Sequence, residues 1–152
     1  MRLPRRSDDG GNAIVEFVFV AVIVMVPLIY LIVAVALVQR SQLAVTEAAR
    51  EAGRAYATSA TGRQARPRAL AAVRLALADQ GVRDDAVVRF VAAGSGCSAP
   101  AVAPRLLAGA TFTVCVSRRV AVPAVPTLLA GGGIRCVGEY VVHVDDYRSV
   151  TP

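Results

Sequence analysis

The chain has 152 residues, 55% of them hydrophobic, with a net charge of +6 and a mean hydropathy of +0.53. That length suits one modest domain plus an anchor, and it excludes a two-domain architecture. All 17 basic residues are arginines, scattered rather than striped, and aromatics are only 5%, so a nucleic-acid-binding surface is also excluded.

Residues 1–11 form a short basic leader carrying Arg2, Arg5 and Arg6, with Asp8 and Asp9 before Gly10-Gly11. An apolar segment follows over residues 12–38. Within it Phe17 to Val38 is a run of 22 residues without a charge. As a helix rising ~1.5 Å per residue, this run spans ~33 Å, enough for a hydrocarbon core of ~30 Å. The segment therefore predicts one membrane-spanning helix. It exceeds the apolar core of a cleaved secretory signal, and no small-residue cleavage pattern follows it. Pro27 lies mid-run, where a membrane helix accommodates it with a kink.

Arginines flank both ends, Arg2, Arg5 and Arg6 before the span and Arg40, Arg50 and Arg54 after it. The basic cluster lies closer to its end of the span, and the cysteines lie beyond it. The expected orientation is N-terminus cytoplasmic and C-terminal domain extracytoplasmic, in the cytoplasmic membrane. Residues 39–57 read as a helical extension, rich in alanine, with Glu47/Arg50 and Glu51/Arg54 at i,i+3 spacing. Ala44, Ala48, Ala52 and Ala55 are small enough to let neighbouring helices approach closely; high helix propensity alone accounts for them equally well.

Glu16 is a carboxylate one turn inside the apolar segment. Alone, it is an interfacial charge at headgroup level. In the context Gly11-Asn-Ala-Ile-Val-Glu-Phe-Val-Phe-Val20 it carries more. A basic leader, a glycine, four residues, a glutamate, an aromatic and a long apolar helix resemble the type IV pilin class. The segment is most similar to the TadE-like minor pseudopilins of the Tad (tight adherence, Flp) pilus system. Ala44-Val-Thr-Glu-Ala-Ala-Arg-Glu-Ala-Gly-Arg-Ala55 resembles the stretch that follows the span in those proteins. Phe17 stands where many such signatures have tyrosine, and Asp8-Asp9 interrupts the basic leader.

The resemblance implies cleavage by a prepilin peptidase between Gly11 and Asn12. Asn12 would then carry the new α-amino group, one helical turn from Glu16. In a helical assembly a neighbour's amine could pair with Glu16 and fix axial register, with Phe17 beside it and the Phe17–Val38 face as packing surface.

Beyond Thr58-Ser-Ala-Thr-Gly62 a second helix is expected from about Pro67, with an apolar stripe of Leu70, Val73 and Leu77 and a stop at Gly81. Strands are expected over 86–91, 110–117 with a continuation toward Val122, and 134–144 with Gly138 as a bulge; residues 94–100 and 123–133 are loops. Helix, helix and then three strands predict an α+β fold with a small antiparallel sheet, residues 58–152 making the outer domain.

Cys97, Cys115 and Cys136 allow one disulfide. Cys97–Cys115 would tie a loop to the sheet and Cys115–Cys136 would join two strands; the spacing leaves both open. Neither a zinc-ligand spacing nor a catalytic motif occurs. Asp84-Asp85, and Asp145-Asp146 with His143, read as solvated loop charge. No cofactor, metal, small-molecule substrate or enzymatic activity is expected. The expected partners are the membrane, other pilin or pseudopilin subunits, pilus assembly proteins and the peptidase. The rival expectation is a single-pass protein whose outer domain binds a ligand or partner, without pilin-type processing.

Overall fold

The computed structural model describes residues 10–82, 86–121 and 133–148, with side chains from Ala13 onward. Its elements are α1 (Gly10–Ala57), α2 (Gly62–Asp79), β1 (Val87–Ala92), β2 (Thr111–Val120) and β3 (Ile134–His143). The architecture is α+β. The chain divides into two compact units, residues 1–36 and 37–152.

In the first unit the helix runs through Pro27 without a break. Pro27 has no N–H, so the Ile23 carbonyl loses its ladder partner. Its apolar side chains, from Ile14 to Val35, are exposed all round the helix. A helix apolar on every face has no solvated side to present to water. It is long and apolar enough to cross a membrane.

In the second unit β1, β2 and β3 form an antiparallel sheet in that order. Strand side chains alternate between faces, so the register assigns each residue to one side. Phe90, Phe112, Val114, Val116, Val120 and Val142 line one face, and they share a core with Ala44, Val45, Ala48, Ala49, Ala52 and Tyr56 of α1. Helix α2 adds Ala65, Ala69, Val73 and Leu77 to the same core. Tyr56, Phe90 and Phe112 meet as an aromatic triangle, with centroids 5.0, 5.0 and 6.1 Å apart. The Tyr56 hydroxyl donates to the Pro104 carbonyl at 2.8 Å. Burial holds that phenol above its usual pKa, against an opposing pull from Arg66.

The seam between α1 and β3 is built from glycines. A Cβ at Gly138 would collide with the Val45 carbonyl oxygen and lie 2.6 Å from the Thr46 nitrogen. A Cβ at Gly53 would lie 2.6 Å from Val142 Cγ2 and 2.7 Å from Tyr140 Cδ1. Gly138 is therefore no bulge. It pairs in register with Val116, and its missing side chain admits the helix backbone. The close approach expected of Ala44, Ala48 and Ala52 is also made within the domain. Those three are fully buried in its core, so they do not offer a surface to a neighbouring helix.

Helix α2 begins a turn earlier than expected, at Gly62 after Thr61, because burial of Ala65 rewards the additional turn. Its stripe runs Ala65, Ala69, Val73 and Leu77, while Leu70 is half-buried beside it. The stop at Gly81 is a left-handed glycine, φ 69°, with Gly81 N–H bonded to Ala78 O and Val82 N–H to Leu77 O. Arg148 closes the end of α1, donating to the carbonyls of Ala57, Ser59 and Ala60.

Candidate functional site

The residues singled out near the N-terminus all fall on α1. Gly11 and Asn12 lie in its first turn, and Asn12 and Glu16 are one turn apart in backbone position. Glu16 and Phe17 are both exposed. Their helix continues as the apolar cylinder that ends near Val38, so Glu16 is a single carboxylate near one end of a surface otherwise suited to lipid or to other apolar helices. Tyr30 introduces a second polar group into that surface. Its hydroxyl has no hydrogen-bond partner among the described residues. Sequence reasoning passed over it because one tyrosine barely lowers the hydropathy of so long a run. The Ile23 carbonyl released by Pro27 lies about two turns before it, the direction in which helical side chains lean.

The cysteines resolve in the second unit. Cys97 and Cys115 form a disulfide with Cα atoms 5.7 Å apart. Cys136 is a buried free thiol. The alternative Cys115–Cys136 pairing fails on parity. Cys115 stands opposite Glu139 in the register, three residues from Cys136, so the two sulfurs point to opposite faces of the sheet. The bridge instead pins the connection after β1 against the outer face. There Arg89 donates to Cys97 O at 3.4 Å and Ala99 O at 2.8 Å, and Val91, Thr113 and Ser117 are buried.

Asp84, Asp85 and all of the expected 123–133 loop but Gly133 lie outside the described residues. Asp146 sits 3.2 Å from His143 Nε2, and Asp145 accepts the Tyr147 N–H at 2.9 Å. Among the described residues no group of three His, Cys, Asp or Glu side chains converges as a metal site requires.

The geometry of interest is thus an exposed apolar helix with a carboxylate near its start, continuing into the core of a small disulfide-pinned domain. The family model for TadE-like protein matches residues 11–54. The N-terminal segment is TadE-like. The match covers less than a third of the chain and ends at Arg54, within the part of α1 that packs on the sheet. It takes in Gly11, Asn12, Glu16 and Phe17, the whole apolar run, and Val45 and Gly53 of the helix–sheet seam. Comparison with curated proteins and with solved structures finds no match. A TadE-like segment and one helix long and apolar enough to cross a membrane fit a membrane-anchored Tad component.

Proposed function

We propose that the chain is a pseudopilin-like subunit that takes part in assembling a Tad/Flp-type pilus or a related secretion machine. The observation that carries this reading is the TadE-like match over a helix whose apolar side chains are exposed on every face and whose start carries Glu16. Its N-terminus is cytoplasmic and its domain extracytoplasmic. The disulfide supports that orientation, since thiols in the cytoplasm stay reduced. A prepilin peptidase cuts between Gly11 and Asn12, and the freed amine of one subunit meets Glu16 of a neighbouring pilin or pseudopilin. The chain acts as a building element and a peptidase substrate, not as an enzyme.

The charge pairing gives the reading its physical content. An unpaired carboxylate near the bilayer is costly, and an ammonium partner offsets that cost only at one axial offset between helices. The test is Glu16→Ala and Glu16→Gln in the producing cell, with membrane content and pilus yield measured together. Normal membrane levels with lost assembly are expected for both variants. Assembly at the unmodified level in either variant would overturn the register role.

A further inference from the structure

The second unit begins at Leu37, directly after the span, and its sheet turns one end toward that entry point. Arg118 of β2 donates to Ser41 Oγ at 2.8 Å, and Cys136 Sγ of β3 lies 3.9 Å from the Val38 carbonyl oxygen. The uncharged run ends at Val38, so the headgroup level of a bilayer falls at about Val38–Ser41. These contacts place the last residues of β2 and the first of β3 beside that stretch of α1.

Two open depressions lie at this end and share Arg118. One is lined by Leu37, Arg40 and Val120, the other by Val87, Arg89, Arg119 and Arg135, and among the described residues no carboxylate lines either. Arg119 and Arg135 are directly opposed across β2 and β3. Arg40 donates to the Gln80 carbonyl at 2.6 Å, and Arg89 to the Cys97 and Ala99 carbonyls. Those acceptors are neutral, so they orient the guanidiniums without cancelling their charge. Arg118 and Arg119 have further partners, so the weight falls on Arg40, Arg89 and Arg135. Val87 and Ile134, 60% and 45% exposed, add apolar surface at the same end.

We propose that this end of the domain seats on the bilayer surface, with Arg40, Arg89 and Arg135 holding the phosphates of anionic lipid headgroups. Guanidinium forks match phosphate geometry, and their aliphatic stems suit the interfacial zone. Continuity with the span selects the occupant: the surface that Arg40 reaches first is the membrane its own helix crosses. Seating would hold the domain at a fixed attitude to the membrane. The inference rests on α1 crossing the bilayer and not on processing or pilus assembly, so it stands or falls separately from them.

The experiment is amide hydrogen exchange of the full chain in nanodiscs of phosphatidylcholine alone and of phosphatidylcholine with phosphatidylglycerol. Exchange over 118–121 and 134–137 slows in the anionic discs, and high salt reverses the slowing. Arg135→Gln weakens the protection about fivefold, the effect of one arginine at an anionic surface, and Arg135→Lys retains most of it. Arg135 is exposed, and exchange at Thr113 and Val114 in the sheet interior reports that the fold is intact. Equal exchange in the two disc types would overturn the proposal. So would protection that ignores both salt and Arg135→Gln.

Discussion

Replacing Gly138 with alanine tests the helix–sheet seam at its tightest point. The added Cβ would collide with the Val45 carbonyl and lie 2.6 Å from the Thr46 nitrogen. Both are backbone atoms inside a helix, so no rotamer change can clear them. The helix must lift from β3 by about an ångström, which loosens Ala44, Ala48 and Ala49 along the same seam. The cost falls at the upper end of overpacking, about 3 kcal/mol. For a domain of this size that lowers the melting midpoint by roughly 10 °C. Cys136 is the convenient probe, because its thiol is buried and becomes alkylatable when the domain opens. Pulsed alkylation of the full chain in micelles, across a temperature or urea series, reads the domain without interference from the apolar helix. Gly62→Ala is the control, since nothing lies within 4 Å of its added Cβ. Gly53→Ala falls between them, because its Cβ meets the side chains of Val142 and Tyr140, which can give. A Gly138→Ala midpoint equal to that of the unsubstituted chain would refute the account of the seam.

Two further outcomes follow from the second unit. Cys97→Ser with Cys115→Ser removes a bridge across 18 residues and costs about 3 kcal/mol, whereas Cys136→Ala leaves the bridge in place and costs about 1 kcal/mol; thermal unfolding followed by far-UV circular dichroism separates them. Burial raises the Tyr56 phenol above its ordinary pKa, so the folded state favours the neutral form. That stability is complete below the unfolded pKa of about 10 and is lost as pH rises through the higher folded value. Tyr56→Phe should remove this alkaline loss and, through the missing bond to Pro104, cost about 1 kcal/mol at neutral pH; urea midpoints measured across the alkaline range check both.

The parts of the structure legible in sequence were those carried by a long, local signal. The uncharged run from Phe17 to Val38 declares a helix by itself, and alternation around Phe112, Val114 and Val116 declares a strand. What stayed hidden depends on partners distant in the chain. Gly138 looks like a bulge until the helix backbone is known to cross it. The choice of Cys97 for Cys115 needs the β2–β3 register, which places Cys136 on the opposite face. The early start of α2 turns on the burial of Ala65, a residue too small to mark a stripe in the sequence. At the N-terminus the situation is reversed. Gly11, Asn12 and Glu16 stand out through their order along the chain and through the TadE-like match, while the chemistry proposed for them needs a peptidase and a neighbouring subunit.

The most direct test of the account is therefore the intact mass of the protein from native membranes, in cells with and without the prepilin peptidase. A chain that starts at Asn12 when the peptidase is present and keeps its leader when it is absent is the expected result. A chain that keeps its leader in both would contradict pilin-type processing and leave a TadE-like membrane anchor with a disulfide-pinned outer domain.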